Sequence, residues 1–176
     1  STIFLASENS IIVVESVYES MIESLIKEGG SLLDDAEKSK LQATMWNDKG
    51  IINRDVIAKK SNEIAILAGL SEKHSSSKFL MVEEQNVGPK YPFSMEKLSP
   101  VLTVYRAKNF DHAVIIASSI LENQGKGHSC GIHSKDEDNI LKLGMELPVC
   151  RIIVNQAHCF ATGGNFDNGL PFLNEL

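Results

Sequence analysis

Several features that mark common protein classes are missing from this sequence. No run of Lys or Arg forms a basic stripe, and 17 basic against 23 acidic residues give a net charge of −6, so a nucleic-acid partner is not expected. No apolar run approaches the roughly 20 residues of a membrane span. The first residues also lack the basic segment and apolar core of a secretory signal. The sequence therefore predicts a cytoplasmic protein without a membrane partner.

Cysteine is scarce, with three residues at positions 130, 150 and 159. The odd number argues against a disulfide framework, and the lack of a CxxC pair argues against a zinc site. No metal site is predicted. Cys130 and Cys150 fall in predicted strands, so we interpret them as buried, reduced core thiols.

The composition is that of a folded globular protein. The chain has 176 residues, of which 43% are hydrophobic and 23% charged. A chain of this length and composition can bury one hydrophobic core. We therefore expect residues 1–176 to form a single domain.

Residues 127–155 are the clearest unit of the chain, because they read as strand, helix, strand. Residues 128–133 are β-rich, and Ser134 with Glu137 three positions later has the spacing of a helix-starting capping box. Residues 149–154 are nearly all apolar, which is typical of a strand covered on both faces of a parallel sheet. The pattern predicts a βαβ unit.

The remaining strands and helices are predicted to alternate in the same way. The predicted helix starts are Ser16 with Glu19, Asp34 with Glu37, and Asn109, two helical pieces are expected in residues 54–68, and residues 74–77 are interpreted as a polar loop. The predicted strands are 11–14, 79–83, 101–105, 129–133 and 150–154. This alternation predicts a three-layer α/β domain with a mostly parallel sheet and helices on both faces.

The segment QAHCFATGGNFDNGLPF, residues 156–172, follows the last predicted strand. Open α/β sheets bind ligands at the carboxyl ends of their strands, so this loop is a candidate ligand-binding segment. A purely structural surface loop explains the composition equally well.

Four segments together resemble a known family. They are LASENSIIVV (5–14), PFSMEKLSPVL (92–102), GKGHSCGIHS (125–134) and CRIIVN (150–155). In order and spacing they resemble the catalytic domain of the CoA-acylating aldehyde dehydrogenases. The segments RIIVNQ and NGLPF are most similar to the sulfoacetaldehyde and succinate-semialdehyde members.

The resemblance implies oxidation of a small aldehyde through a cysteine thiolate, with NAD or NADP as cofactor and CoA as cosubstrate. A thiolate suits this covalent chemistry because it is strongly nucleophilic near neutral pH. The family's nucleophile corresponds to Leu5 here, and leucine cannot form a thiohemiacetal. Either the residue was changed or misassigned in this chain, or the chain is an inactive relative.

The resemblance also implies roles for Glu96 and His128. Glu96 in EKLSPV corresponds to a glutamate that holds the nicotinamide ribose, since a carboxylate accepts from two hydroxyls at once. His128 corresponds to a histidine for which proton transfer or CoA positioning is plausible. A solvated loop glutamate and a structural strand-end histidine are the alternatives. His133 points to the opposite strand face and receives no role.

Two other histidines carry no predicted function. His158 and Cys159 are adjacent, and neighbouring residues of an extended loop project in different directions, which argues against a catalytic dyad. His112 lies in the first turn after Asn109 and is expected at the surface.

The family's nucleotide-binding domain, with its glycine-rich phosphate loop, has no counterpart in this sequence. We therefore expect the chain to be the catalytic, thiol-bearing lobe of a longer enzyme that associates as a homo-oligomer. A non-catalytic, degenerate domain that serves binding or oligomer contacts is the alternative. The enzyme hypothesis predicts that residues 1–7, Glu96 and His128 converge on one rim of the sheet, with Leu5 lining a concavity.

Overall fold

The computed structural model describes residues 2–5, 9–124 and 126–157, with residues 4 and 5 described by their backbone. The strands are β1 (Thr2–Leu5), β2 (Ser10–Val14), β3 (Gly30–Leu32), β4 (Phe79–Glu83), β5 (Val101–Ala107), β6 (Ser129–His133) and β7 (Arg151–Val154). The helices are α1 (Tyr18–Lys27), α2 (Asp35–Met45), α3 (Ser61–Leu67), α4 (Phe110–Asn123) and α5 (Glu137–Glu146). Short 3₁₀ turns cover Glu15–Val17, Arg54–Val56, Glu72–His74 and Pro92–Ser94.

The seven strands form one sheet in the order β3-β4-β5-β2-β1-β6-β7. Pairs β3–β4, β4–β5, β2–β5 and β6–β7 are parallel, whereas β1 is antiparallel to both β2 and β6. The mostly parallel α/β fold is therefore confirmed, and so are its five predicted strands. Strands β1 and β3 were not predicted, because four and three residues are too few to show a periodic pattern.

Side chains that alternate along each strand supply two cores, one on each face of the sheet. In the described part of the chain, one face packs against α1, and its buried residues are Ile11, Val13, Tyr18, Ile22, Met81, Leu102 and Val104. The other face carries α2 and α3 over β4 and β5. On that same face, α4 and α5 cover β2, β1 and β6. Helices therefore lie on both faces, as predicted, but four of the five share one face.

Two helix starts are as predicted. Asp34 accepts a hydrogen bond from the amide of Glu37, whose carboxylate reaches back to the amide of Asp34. Asn109 accepts from the amide of His112 at the start of α4. His112 itself is half-buried rather than exposed, and its Nδ1 accepts from the amide of Lys108.

The other two helix starts were predicted wrongly. Ser16 lies inside the 3₁₀ turn Glu15–Val17, and α1 begins after it at Tyr18. Ser134 does not cap α5, because the carboxylate of Asp136 accepts from the amides of Asp138 and Asn139. Ser134 instead makes two hydrogen bonds to the side chain of Asn155 at the end of β7. Contacts with the neighbouring strand end thus outweigh the local capping pattern.

His74 and Cys150 also differ from expectation. His74, expected in a polar loop, is fully buried, because Ser31 Oγ lies 2.7 Å from its Nδ1 and Glu37 Oε1 lies 2.9 Å from its Nε2. Cys150 is exposed, since it precedes β7 instead of lying within it. Cys130 is buried as predicted, and burial raises the pKa of its thiol to about 12.

Candidate active site

The candidate site begins where β1 ends. Six strands run in one direction and β1 runs in the other, so the carboxyl end of β1 meets the amino ends of its neighbours. The backbone of Leu5 pairs with Ser10 of β2 on one side and with Cys130 of β6 on the other. Position 5 therefore lies in the middle of the sheet, at the edge where the parallel strands start.

The loop that carries Glu96 is bound to this same edge. The side-chain amide of Asn9, next to Ser10, donates to the carbonyl oxygen of Met95 at 3.0 Å. The amide of Glu96 donates to Gln124 Oε1 at 2.7 Å, which ties the loop to the end of α4. The carboxylate of Glu96 is exposed, as a group that binds a ligand must be.

His128 reaches the edge from the other side. It directly precedes β6 and lies two residues before Cys130, the strand partner of Leu5. Its carbonyl oxygen accepts from the amide of Cys150 at 3.2 Å, and the residue is exposed. Positions 5, 96 and 128 therefore lie along one edge of the sheet, while their roles stay predictions. Whether Leu5 lines a concavity also stays a prediction, because that residue is described by its backbone.

Lys97 is a functional candidate that sequence reasoning missed. Its side chain is fully buried, and its Nζ donates to the carbonyl oxygens of Phe93 at 2.9 Å and Met95 at 3.1 Å. Burial lowers the pKa of Lys97 to about 7, although the neighbouring charge of Glu96 acts in the opposite direction. A buried titratable group next to a residue that is predicted to bind a ligand is typical of functional sites. Its burial was not predicted, because a lysine next to a glutamate before a turn is usually solvated.

Ser10 is the second residue that the sequence did not reveal. It is fully buried, and its Oγ has no hydrogen-bond partner in the described part of the chain. Because Ser10 is the strand partner of position 5, it lies next to the position that is predicted to correspond to the family's nucleophile.

Comparison with known proteins identifies the relationship. No protein-family model matches the chain. The sulfoacetaldehyde dehydrogenase (acylating) of Cupriavidus necator is 52% identical over 168 residues, covering 95% of this chain and 34% of that protein. The succinate-semialdehyde dehydrogenase (acetylating) of Clostridium kluyveri is 34% identical, covering 95% of this chain and 36% of that protein. This chain is homologous to the acylating aldehyde dehydrogenases.

A solved acetylating aldehyde dehydrogenase from Geobacillus thermoglucosidasius has the same fold, with a TM-score of 0.83 and 37% identity. The match covers 89% of this chain and 34% of that one. The chain thus spans about a third of the length of the acylating aldehyde dehydrogenases it matches. The predicted resemblance to this family and the predicted fold are confirmed over this length.

The two candidate regions lie at opposite edges of the sheet. The general rule for open α/β sheets directs attention to the carboxyl ends of the strands and to residues 156–172. Asn155 lies at that edge, directly after β7, whereas positions 5, 96 and 128 lie at the other edge, because β1 runs against its neighbours. Ligand binding at either edge stays a prediction. Residues 158–172, with His158 and Cys159, lie outside the described residues.

Within residues 2–5, 9–124 and 126–157, no group of three His, Cys, Asp or Glu side chains is arranged to hold a metal ion. No helix in the same ranges is long and apolar enough to cross a membrane.

Proposed function

We propose that this chain is the catalytic lobe of an NAD(P)-dependent, CoA-acylating aldehyde dehydrogenase, with Leu5 at the position of the nucleophilic thiol. The observation that carries the proposal is the meeting of positions 5, 96 and 128 at one sheet edge, through the Leu5 strand pairs and the bond from Asn9 to Met95. The names of the relatives support a small aldehyde as substrate and an acylating reaction. We expect the longer protein to be cytoplasmic and homo-oligomeric.

The chemistry assigns a role to each position. A thiolate at position 5 attacks the aldehyde carbon and forms a thiohemiacetal, and oxidation then leaves a thioester that CoA cleaves. The exposed carboxylate of Glu96 can accept hydrogen bonds from two ribose hydroxyls. The exposed imidazole of His128 can move a proton or orient the CoA thiol.

The cofactor assignment rests on the chain's own residues and on structures of the same fold. When bound, NAD or NADP would supply the hydride acceptor that oxidation of a thiohemiacetal to a thioester requires. An engineered glycolyl-CoA reductase of this fold holds NADP⁺, and a propionaldehyde dehydrogenase of Rhodopseudomonas palustris holds CoA. Glu96 is the residue here that fits a ribose, because it is an exposed acceptor on a loop fixed at both sides.

Leu5 makes the chain inactive as it stands, because leucine has no group that can add to a carbonyl. The same residue favours a second candidate function, a non-catalytic domain kept for binding or for oligomer contacts. The codon at position 5 in the parent gene separates the two, since a Cys codon supports the enzyme and a Leu codon supports the degenerate domain.

The direct test compares Leu5, Leu5→Cys and Leu5→Ser in the longer protein that contains this segment. CoA-dependent reduction of NAD or NADP is followed with sulfoacetaldehyde and succinate semialdehyde. We expect turnover from Leu5→Cys alone, with the other two lower by several orders of magnitude. The serine variant is the matched control, because it has the size of cysteine but no thiol.

Turnover by the unmodified 176-residue chain would overturn the assignment, and Cys159 would become the first suspect. Thiol titration adds a second readout, because Leu5→Cys introduces one new thiol. The exposed Cys150 reacts in either chain, whereas Cys130 is buried. Replacing Cys150 by Ser first gives a clean baseline.

A further inference from the structure

Ser10 carries a buried hydroxyl group that lacks a hydrogen-bond partner. The residue is fully buried, and its Oγ makes no hydrogen bond within residues 2–5, 9–124 and 126–157. A buried hydroxyl without a partner is unfavourable, and such groups are rare in folded proteins. The position of Ser10 in the sheet indicates which group could serve as its partner.

Ser10 belongs to a row of residues that crosses the sheet. It pairs with Thr103 of β5 on one side and with Leu5 of β1 on the other, and Leu5 pairs in turn with Cys130 of β6. Residues that lie directly opposite each other on neighbouring strands share one face of the sheet. The four positions therefore lie on one face, with position 5 between Ser10 and Cys130.

The two other polar side chains of this row have acceptors of their own. Thr103 Oγ1 donates to the carbonyl oxygen of Phe93 at 2.6 Å. The Cys130 thiol donates to the carbonyl oxygen of Gly131 at 3.6 Å. Ser10 alone in the row is left without an acceptor in the described part of the chain, and the leucine at position 5 offers none.

We propose that Ser10 is a positioning residue that donates its hydroxyl hydrogen to a thiolate at position 5. This inference rests on the proposed function, which assigns the nucleophile to that position. Directly opposite residues of an antiparallel pair have Cβ atoms roughly 4.5–5.5 Å apart, so the Oγ of a serine and the Sγ of a cysteine, each one bond further out, come within hydrogen-bond reach. A donor beside a thiolate favours the charged form, which is the nucleophilic form of cysteine. The hydroxyl of Ser10 is unpaired in this chain because leucine replaces its acceptor.

Other titratable groups also lie at this edge of the sheet. Cys130 remains a neutral thiol near pH 7, because burial raises its pKa to about 12. Glu96 and His128 are exposed, and the Nζ of Lys97 is bound to two carbonyl oxygens of its own loop. A substitution of Ser10 changes none of these groups, so a change in the pKa of a thiol at position 5 can be assigned to the hydroxyl.

The first experiment measures the pKa of the thiol that Leu5→Cys introduces into the 176-residue chain. The ultraviolet absorbance of the thiolate follows the titration, with Cys150 and Cys159 replaced by Ser to remove other signals. We expect Ser10→Ala to raise the pKa of this thiol by about one unit, which makes the thiolate fraction about tenfold smaller at a pH well below the pKa. An unchanged pKa would overturn the inference.

Thr103→Val is the matched control for the titration. It removes a buried hydroxyl of the same row, but one that already has the carbonyl oxygen of Phe93 as its acceptor. It should therefore leave the pKa of the introduced thiol unchanged. An equal rise in Thr103→Val and Ser10→Ala would overturn the inference, because the pKa would then respond to general loosening of the sheet.

The second experiment uses urea denaturation of the chain with Leu5 in place. Ser10→Ala should leave the urea midpoint unchanged or raise it, since it removes an unpaired hydroxyl, whereas Thr103→Val should lower it, since it removes a hydrogen bond. Equal losses in the two variants would show that the Ser10 hydroxyl has a structural partner, such as a buried water molecule. That result would also overturn the inference.

The third experiment separates this inference from the proposed function. In the longer protein with Leu5→Cys, we expect Ser10→Ala to move the lower midpoint of the pH profile of kcat/KM up by about one unit. An identical profile with serine and alanine at position 10 would overturn the role of Ser10 and leave the proposed function intact. Absence of CoA-dependent turnover in Leu5→Cys would instead refute the proposed function, while the pKa difference measured in the 176-residue chain would still stand.

Discussion

Glu37 and Lys97 are both charged residues of the core, yet their surroundings favour opposite charge states. Glu37 is 7% exposed and Lys97 is fully buried. Burial raises the pKa of Glu37, but hydrogen bonds from Ser71 and His74 outweigh it and bring the pKa to about 2. Lys97 has carbonyl partners and no paired anion within the core, so burial dominates and lowers its pKa to about 7.

The difference lies in the partners of the two groups. The Glu37 carboxylate connects the start of α2 to His74, which in turn contacts Ser31 of β3. Its partners all favour the ionised form. Burial disfavours the ionised form of Lys97, which is next to Glu96, the residue predicted to bind a ribose. Perturbation of that kind is characteristic of active sites, whereas a carboxylate with several donors is characteristic of a structural network.

The sharpest contrast comes from removing each group. We expect Glu37→Ala to lower the free energy of unfolding by about 3 kcal/mol, because the Ser71 hydroxyl loses its acceptor, the buried His74 loses its neighbour and the capping box of α2 is broken. Lys97→Met should change it by less than about 1 kcal/mol, since lost hydrogen bonds are offset by relief of the buried charge. Urea denaturation at pH 7 measures both.

The matched control for Glu37 is Glu23→Ala, which removes an exposed carboxylate of α1 and should leave stability nearly unchanged. An equally large loss in Lys97→Met would break the comparison. Lys97 would then be a structural residue of the same kind as Glu37.

The loss of unfolding free energy at acidic pH is expected to be the next largest effect. The folded pKa of Glu37, about 2, lies below its usual value of 4.5, so the unfolded chain binds more protons between these values. The stabilisation is complete above about pH 5 and is lost as the pH falls towards 2, by up to about 3 kcal/mol. The unfolding free energies of the wild type and Glu37→Gln should therefore converge over this range. A constant gap down to pH 2 would show that Glu37 is not held ionised.

Glu37 also shows how far the sequence predicts the structure. Its spacing from Asp34 predicted the capping box, which the structure contains. Its contacts with Ser71 and His74, 34 and 37 positions away, were invisible, and the histidine was consequently expected in a solvated loop. Local hydrogen bonds follow from spacing, whereas long-range ones require the packed structure.

The same division holds for the candidate site. Positions 5, 96 and 128 came from the family resemblance and not from periodicity. Their meeting point depends on the insertion of β1 between β2 and β6, and a four-residue strand gives no pattern from which to predict it. The burial of Lys97 depends on the carbonyl oxygens of Phe93 and Met95, which accept from its Nζ. Sequence patterns do not specify the directions of carbonyl groups in a turn, so this burial could not be predicted.

The smallest predicted effects distinguish two partners of the Glu37 carboxylate. Ser71 Oγ donates to Oε1 at 2.5 Å, while Lys73 Nζ lies 3.3 Å from Oε2 with 59% of its side chain exposed. We expect Ser71→Ala to lower the unfolding free energy by about 1 kcal/mol, because it removes a hydrogen bond to a charged group. It should also raise the pH at which the Glu37 contribution is lost.

Lys73→Ala should lower the unfolding free energy by about 0.5 kcal/mol or less. Solvent screens the exposed ammonium, and ordering its long side chain costs entropy that opposes the ion pair. Urea denaturation at pH 7 and pH 3, with and without 0.5 M salt, measures both variants, and only the Lys73 difference should shrink in salt. A larger loss from Lys73→Ala than from Ser71→Ala would mean that the charge of Lys73, rather than directed hydrogen bonding, keeps Glu37 ionised. Glu37 and Lys97 would then differ only because Glu37 has a counter-ion and Lys97 has none.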